Sequence, residues 1–218
     1  MLIYPRRQEI DHRTIKLTIG VIALTLAGLT SSFSNAKITS ISASYYEGGW
    51  AQSIFIGFLF AIAALMLAYN GMSKTEMILS KLASFAGAGV AMFPCGCGSH
   101  TELIPYVHSA SASIMFLILA YFCYKFYLRA KDKPNKEARL RAVIYGICGF
   151  AILLSIFTLG LDSFTGEALS KITPRLTFYG EATGLIAFGI SWLTASRTIP
   201  MLTKKDERFS PFRQDNPG

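Results

Sequence analysis

Residues 51–69, AQSIFIGFLFAIAALMLAY, decide the fold of this chain. The stretch contains no charged side chain and, after Ser53, no polar stripe. A membrane-spanning helix needs about 20 consecutive, mostly apolar residues. A surface helix of a soluble protein keeps one polar face. The pattern therefore predicts a transmembrane helix rather than a helix in the core of a soluble domain.

Five further apolar stretches resemble residues 51–69 in length and composition; all six are numbered below in chain order. They cover residues 15–34, 76–93, 105–127, 142–161 and 178–196. The chain has 218 residues, of which 52% are hydrophobic and 16% charged, whereas charged residues make up about a quarter of a typical soluble domain. We predict an all-α fold, an integral membrane bundle of six transmembrane helices over residues 15–196. A cytoplasmic arm (1–14) precedes it and a partly disordered cytoplasmic tail (197–218) follows it.

The basic residues lie on one side of the predicted membrane. Eighteen of the 21 Lys and Arg residues flank alternate ends of the six stretches. The members of this set are Arg6, Arg7, Arg13, Lys16, Lys74, Lys81, Lys125, Arg129, Lys131, Lys133, Lys136, Arg139, Arg141, Arg197, Lys204, Lys205, Arg208 and Arg213. The other loops hold only Lys37, Lys171 and Arg175. The positive-inside rule then predicts that both termini are cytoplasmic. The net charge of +8 is expected to orient the protein and contact anionic lipid headgroups, not nucleic acid.

The stretch nearest the N-terminus, residues 15–34, has one alternative interpretation. Residues 1–36 combine a basic start with Ser34-Asn35-Ala36, which loosely fits a signal-peptidase site. The apolar run is long for a signal peptide, and Glu9 and Asp11 precede it. We therefore expect a transmembrane helix here.

Small residues recur at a spacing of four in two of the stretches. Ala83, Gly87 and Ala91 do so in the third, with Gly89 beside them, and Gly180 and Gly184 do so in the sixth. Such spacing lets helices approach closely in lipid. We expect it to serve packing within the bundle rather than dimerisation.

The loop between the third and fourth stretches is unusually rich in reactive residue types. It reads PCGCGSHTELIPYVH over residues 94–108 and is predicted to face an oxidising compartment. Cys95 and Cys97 are a disulfide candidate, and with His100 and His108 they could instead form a Cys2His2 metal site. Their spacing matches no established zinc arrangement, and a plain tight turn is the third alternative. Cys123 and Cys148, within the spans, are expected to be packing residues.

Ionisable and aromatic residues gather near the outer ends of the spans. His108 begins the fourth stretch, with Ser111 on the same helical face, and Glu181 lies at a similar depth in the sixth. A carboxylate facing lipid is costly, so Glu181 should meet a polar partner, and His108 is the obvious one. This arrangement predicts either an outward-facing polar pocket or a structural His–Glu hydrogen bond. The residues of the candidate pocket are Tyr45, Tyr46, Glu47, His108, Ser111, Asp162, Tyr179 and Glu181.

Common catalytic and cofactor motifs are absent from the sequence. It contains no G-x-S-x-G elbow, no phosphate-binding P-loop and no H-E-x-x-H. Only His108 lies within a predicted span, so the paired histidines of a haem-binding bundle are missing. The sequence names no cofactor.

Several short segments resemble a family of poorly characterised bacterial six-span membrane proteins, distantly similar to the Frag/DRAM/Sfk group. These segments are SISASYY (40–46), SIFIGFLFAIAALMLAYNG (53–71), AGAGVAMFPCGCG (86–98), HSASASIMF (108–116) and FYGEATGLIAFGISWL (178–193). The family pattern has a charged pair before F-x-G, where this chain has Trp50-Ala51-Gln52. The resemblance implies a fold and a bacterial inner-membrane location, but no activity.

A second resemblance concerns the alkaline-ceramidase and progestin-receptor-like superfamily, which implies a metal-dependent lipid hydrolase. That superfamily uses three histidines, an aspartate and a serine, and this chain has no counterpart of its paired C-terminal histidines. The sequence favours a non-enzymatic membrane protein that binds a lipid or small amphiphile in the outer pocket, or serves as an accessory subunit beside other membrane proteins. The alternative is a hydrolase acting on a lipid at the outer leaflet, with Cys95, Cys97, His100, His108 and Glu181 as ligands or acid–base groups.

Overall fold

The structure, a computed structural model, describes residues 11–210. Within them the protein is built from helices, and no strand occurs in this part of the chain. Seven α-helices and three short 3₁₀ helices follow one another. The α-helices are α1 (His12–Phe33), α2 (Gly49–Ala68), α3 (Lys74–Met92), α4 (Val107–Lys131), α5 (Lys136–Phe164), α6 (Ala168–Ile172) and α7 (Leu176–Ala195). The 3₁₀ helices are Ser42–Tyr46, Pro200–Leu202 and Lys205–Glu207.

Each of the six apolar stretches forms one long helix, so the all-α prediction is confirmed. Four of them, α1, α2, α4 and α5, are long and apolar enough to cross a membrane. α1 begins earlier than predicted because the Asp11 carboxylate accepts a hydrogen bond from the Arg13 amide at 2.8 Å and caps the helix. Thr14, the last residue of the predicted arm, is therefore helical, and most of that arm (1–10) lies outside the described residues.

The six long helices pack as a closed ring in the order α1, α2, α3, α4, α5, α7, with α4 also touching α7 across the middle. α1 and α7 approach each other closely at Gly20 and Gly189. A Cβ atom on Gly20 would lie 3.1 Å from the Gly189 carbonyl oxygen, and one on Gly189 would lie 2.9 Å from the Gly20 carbonyl oxygen. The predicted small residues also serve packing. At Gly184 a Cβ would lie 2.6 Å from Phe116, and at Gly89 it would lie 2.6 Å from the Ser111 hydroxyl.

Buried aromatic rings occupy the half of the bundle that holds the end of α2, the middle of α4 and the end of α7. Trp192 is fully buried, and its ring lies 5.1 Å from Tyr69, 5.7 Å from Phe122, 5.9 Å from Phe126 and 5.4 Å from Phe188. Aromatic pairs at these centroid distances gain edge-to-face attraction beyond their apolar burial. Cys123 and Cys148 lie in the same core as free thiols.

We call the end of the bundle nearest these rings the basic end. Buried Glu76, at the start of α3, pairs with Arg129 near the end of α4 at 2.7 Å. Glu207, in the segment after α7, pairs with Arg197 at 2.7 Å and lies 3.8 Å from Arg141 of α5. The segment 197–210 thus folds back onto the helices, where the sequence predicted a partly disordered tail. Residues 211–218 of that tail lie outside the described part.

Candidate functional site

The other end of the bundle, here called the cap end, is closed by residues 38–46, which we call the cap. The Glu181 side chain of α7 reaches this segment and accepts three hydrogen bonds. Its Oε2 atom accepts from the backbone amides of Ile41 and Ser42, the latter at 3.3 Å, and its Oε1 atom accepts from the Ser42 hydroxyl at 2.7 Å. A single carboxylate therefore fixes the path of the cap over the helix ends.

His108 holds the same serine from the opposite side. It lies in the first turn of α4 and is 6% exposed. Its Nδ1 atom lies 2.7 Å from the Phe93 carbonyl oxygen, which can only accept, so Nδ1 carries a proton. Its Nε2 atom lies 3.1 Å from the Ser42 hydroxyl. His108 and Glu181, which the sequence paired by depth, are thus joined through Ser42.

Ser42 lies between two hydrogen-bonding partners. The Ser42 hydroxyl has one hydrogen, so it donates either to Glu181 or to Nε2 of His108. If it donates to Glu181, Nε2 must carry a proton and donate to the serine oxygen. If it donates to Nε2, the carboxyl group of Glu181 must be protonated. In both cases the Ser42 oxygen joins Glu181 to His108.

The order of the three side chains argues against a nucleophilic triad. In such a triad the histidine lies between the nucleophile and the carboxylate and removes the proton from the nucleophile. Here Ser42 lies in the middle and is 5% exposed, with its oxygen engaged by both neighbours. The arrangement is suited to holding segments together rather than to attacking a substrate.

A small cavity lies beneath the cap. Its volume is about 30 Å³, room for about one water molecule or two. Its walls are Leu26, Ile41, Ser42, Phe55, Leu59, Val90, Ala112, Met115, Phe116, Glu181 and Leu185, nearly all of them apolar. A lipid or drug-sized ligand needs a pocket of several hundred Å³. The cavity beneath the cap is therefore smaller than such a ligand requires.

Further contacts fasten the cap on both sides. The Tyr46 hydroxyl donates to the Cys95 carbonyl oxygen at 2.7 Å, and its ring stacks on His100 with centroids 3.7 Å apart. Partial burial, together with nearby Tyr45 and Glu102, raises the pKa of Tyr46 above its ordinary value, so the phenol stays a neutral donor.

On the α7 side, backbone and side-chain groups continue the attachment. The Phe178 amide donates to the Thr39 carbonyl oxygen at 2.9 Å, and Nε of Arg175 donates to the Ile38 carbonyl oxygen at 3.1 Å. The Arg175 guanidinium also lies 4.2 Å from the centre of the Phe178 ring. The cap is thus tied to α7 along its first half and to the loop before α4 along its second half.

The predicted metal ligands do not form one cluster in the structure. Cys95 and Cys97 are bonded to each other as a disulfide, so their sulfurs are not thiolate ligands. His100 stacks on Tyr46, and His108 has both ring nitrogens engaged by Phe93 and Ser42. Over residues 11–210 no group of three or more His, Cys, Asp or Glu side chains is arranged to hold a metal ion.

Four other residues of the predicted pocket, Asp162, Glu47, Tyr179 and Ser111, lie apart from the network of Glu181, Ser42 and His108. Asp162 accepts hydrogen bonds from the amides of Leu169 and Ser170 at 2.8 and 3.0 Å and thereby holds α6. Glu47 accepts from the Asn35 amide at 3.1 Å.

Tyr179 is 53% exposed at the surface of α7. Ser111 packs against Gly89 where α4 meets α3. Tyr45 belongs to the cap but packs against apolar side chains beneath it. Of the eight predicted pocket residues, Tyr46, His108 and Glu181 contribute polar contacts that hold the cap.

The residue that joins the network, Ser42, was not among the predicted site residues. A signal existed in the sequence, because Ser40, Ser42 and Ser44 alternate with apolar or small residues in a loop. All three serines are buried. A loop with buried alternate hydroxyls must satisfy them locally or through a neighbour, and here Glu181 and His108 provide the partners for Ser42.

We predict that Ser42→Ala lowers the free energy of unfolding by about 1–3 kcal/mol, because Glu181 and His108 each lose a partner. Ser53→Ala is the matched control. Its hydroxyl is exposed and bonds only to the Gly49 carbonyl oxygen of its own helix, so a change within about 0.5 kcal/mol is expected. Thermal or SDS unfolding of the purified protein in mild detergent measures both. Equal losses for the two variants would contradict a bridging role for Ser42.

Comparison with known proteins gives no significant match to this chain: no family model, no curated protein and no solved structure. The geometry described above is therefore the basis for a proposed function.

Proposed function

We propose that this chain is a non-enzymatic integral membrane protein that binds a lipid or another amphiphile in a groove between α4 and α5. The observation that carries the proposal is the groove itself, which has a volume of about 300 Å³. This value is at the lower end of the range for small-molecule sites. The lining residues are Ala120, Tyr124, Tyr127, Tyr145, Gly146, Gly149, Phe150 and Leu153.

Two missing side chains on α5 open the groove. A Cβ atom on Gly146 would lie 3.8 Å from the Tyr127 ring, and one on Gly149 would lie 3.3 Å from Cβ of Cys123. Larger residues at these positions would fill the space between the helices. Tyr124 and Phe150, 56% and 68% exposed, form the edges that face the surroundings.

The lining suits an amphiphile better than a purely apolar chain. Apolar burial gains little when the alternative is an equally apolar bilayer, so affinity must come from close packing and from polar contacts. Tyrosine rings offer both, since the ring packs and the hydroxyl hydrogen-bonds. Lys131 lies 5.9 Å from the centre of the Tyr127 ring, toward the end of α4. An amphiphile could place a polar or anionic headgroup near Lys131 and its apolar chain in the groove. The headgroup would then contact the lysine, and the chain would pack against the tyrosine rings.

The cap end offers less room for a ligand than the groove between α4 and α5. Three of the side chains that the sequence suggested for a polar pocket, Tyr46, His108 and Glu181, are engaged in holding the cap, and the cavity beneath it is about 30 Å³ and mostly apolar. A metal-dependent hydrolase has no comparable support, since its candidate cysteines are bonded to each other. We therefore place ligand binding at the side of the bundle and assign the cap a structural role.

The test of this proposal is Gly146→Leu, which fills the groove. Gly160→Leu is the matched control on the same helix, where a Cβ would meet nothing within 4 Å. Both changes improve helix propensity to a similar extent. In nanodiscs that contain a phospholipid with a diazirine in its acyl chain, we expect Gly146→Leu to lower photolabelling of the α4–α5 peptides roughly tenfold, equivalent to ~1.4 kcal/mol.

The control variant should label as the wild type does. Labelling spread evenly over all the lipid-facing helices in the wild type, or an equal decrease in both variants, would mean that only unspecific boundary lipid contacts this face. Either result would contradict the proposal.

We also propose that all six long helices cross a bacterial inner membrane, with both termini cytoplasmic. α3 and α7 have 19 and 20 residues, which at 1.5 Å per residue is about 30 Å, the thickness of the hydrocarbon core. The ring packing supports six crossings, because at the basic end the start of α3 and the segment after α7 meet the ends of the apolar helices. Arg129 of α4 meets Glu76 of α3, and Arg141 of α5 approaches Glu207 after α7.

Cysteine labelling tests this orientation. Lys37→Cys lies in the exposed loop before the cap, and Lys133→Cys lies in the exposed loop between α4 and α5. The native free thiols, Cys123 and Cys148, are buried and should not react. We expect a membrane-impermeant maleimide to label Lys37→Cys on intact spheroplasts and Lys133→Cys only after permeabilisation. The opposite pattern, or labelling of both before permeabilisation, would contradict the orientation.

A further inference from the structure

The basic end contains positive charges that outnumber the negative ones. Lys16, Arg129, Arg141 and Arg197 belong to four different segments that meet there. The carboxylates of this end that pair with them are Glu76, which holds Arg129, and Glu207, which holds Arg197 and lies 3.8 Å from Arg141. Glu207 also lies 3.7 Å from Lys133, so these two carboxylates pair with four cations, and Lys16 forms an ion pair with neither.

Lys16 is the least compensated of these cations. It lies on α1 with its ammonium 5.5 Å from the centre of the Tyr69 ring and 5.4 Å from that of Phe126. The Arg129 guanidinium lies 5.3 Å from the same Phe126 ring, so two cations face one aromatic group. Within residues 11–210 no carboxylate forms an ion pair with Lys16. The positive charges of Arg129, Arg197 and Arg13 and the negative charge of Glu76 act on it. Two adjacent cations at a partly buried site repel each other unless an anion lies between them.

Neutral donors at the same place also have no partner among the described residues. The Tyr69 hydroxyl and the Trp192 indole N–H are fully buried without a hydrogen-bond acceptor, and their rings are in contact at 5.1 Å. The Nε of Arg141, whose side chain is 0% exposed, is likewise without one. Buried donors nearly always have an acceptor in native proteins. Buried donors without a partner beside an unpaired lysine suit an acceptor that is also an anion.

We propose that the basic end of the bundle, between α1, the end of α2, α4 and the end of α7, is a binding site for a phosphate-class anion. Lys16, Arg129 and the Tyr69 hydroxyl are its primary contacts, and Arg197 contributes its charge. A phosphate monoester carries about −1.5 to −2 charges at pH 7 and three strong acceptor oxygens. Such a group suits a place where Lys16 has no ion pair and the Tyr69 hydroxyl has no acceptor among the described residues. Access is open at the rim, since the Arg129 and Arg197 side chains are 30% and 21% exposed. The site is separate from the α4–α5 groove and does not depend on lipid binding there.

The phosphate could belong to a soluble molecule or to an anionic lipid headgroup, and the chemistry of recognition is the same. The protein in phosphatidylcholine nanodiscs provides the test, titrated with inorganic phosphate at constant ionic strength and followed by thermal shift. A second arm replaces part of the phosphatidylcholine with phosphatidic acid and follows retained lipid by native mass spectrometry. Stabilisation by free phosphate assigns a soluble ligand. Retained phosphatidic acid without stabilisation by free phosphate assigns a headgroup.

Three variants make the test specific. Lys16→Met removes the charge and keeps an apolar side chain of similar length. We expect it to weaken phosphate binding about tenfold or more, because this is the usual effect of losing a hydrogen bond to a charged group. Tyr69→Phe removes only the unpaired hydroxyl, so it should fold as the wild type does while weakening binding. Arg139→Gln removes an exposed positive charge from the same side, and it should leave binding unchanged.

Two results would overturn the proposal. One is that neither phosphate nor phosphatidic acid binds. The other is that Arg139→Gln weakens binding as much as Lys16→Met and Tyr69→Phe does not weaken it at all, because binding would then reflect only the general charge of this face.

Discussion

The carboxylate of Glu181 determines how the cap end of this protein is built. It lies on a helix whose other side chains are mostly apolar, where a carboxylate without partners is costly. Two backbone amides and a hydroxyl from residues 41 and 42 provide the partners. Because those donors belong to a loop rather than to a neighbouring helix, the loop must fold inward over the helix ends. The position of the cap is thus a consequence of one charged side chain.

The other contacts of the cap end follow from that position. With Ser42 held by Glu181, its oxygen faces His108, whose other nitrogen engages the Phe93 carbonyl oxygen at the end of α3. Tyr46 then reaches the Cys95 carbonyl oxygen and stacks on His100. The disulfide between Cys95 and Cys97 limits the conformational freedom of the loop that Tyr46 contacts. The cap, which belongs to none of these helices, thereby joins α3, α4 and α7. The polar groups at this end hold the cap over the helix ends. Among the described residues, the buried Tyr69 hydroxyl and Trp192 indole N–H at the basic end have no hydrogen-bond partner, and the larger open space lies at the side of the bundle.

Hydropathy predicted the helices because it is a local property: each of the six apolar stretches became one long helix within a few residues. The sequence grouped His108 with Glu181 by depth, because depth follows from position along a span, and in the structure the two side chains are linked through Ser42. The bridge through Ser42 could not be predicted, because it depends on the path of a loop in three dimensions. Asp162 was grouped with Glu181 by depth as well, but it caps α6, a short helix that hydropathy does not indicate. The clustering of Lys16 with Tyr69 and Trp192 likewise depends on how the ring of helices closes.

Hydrogen–deuterium exchange of the cap in nanodiscs tests most directly whether Glu181 holds this segment. The account predicts that the amides of Ile41 and Ser42 exchange slowly in the wild type and become fast in Glu181→Met. The amides of Leu169 and Ser170, which bond to Asp162 on the same end, serve as the internal reference and should not change. Slow exchange of Ile41 and Ser42 that persists in Glu181→Met, or fast exchange in the wild type, would contradict it.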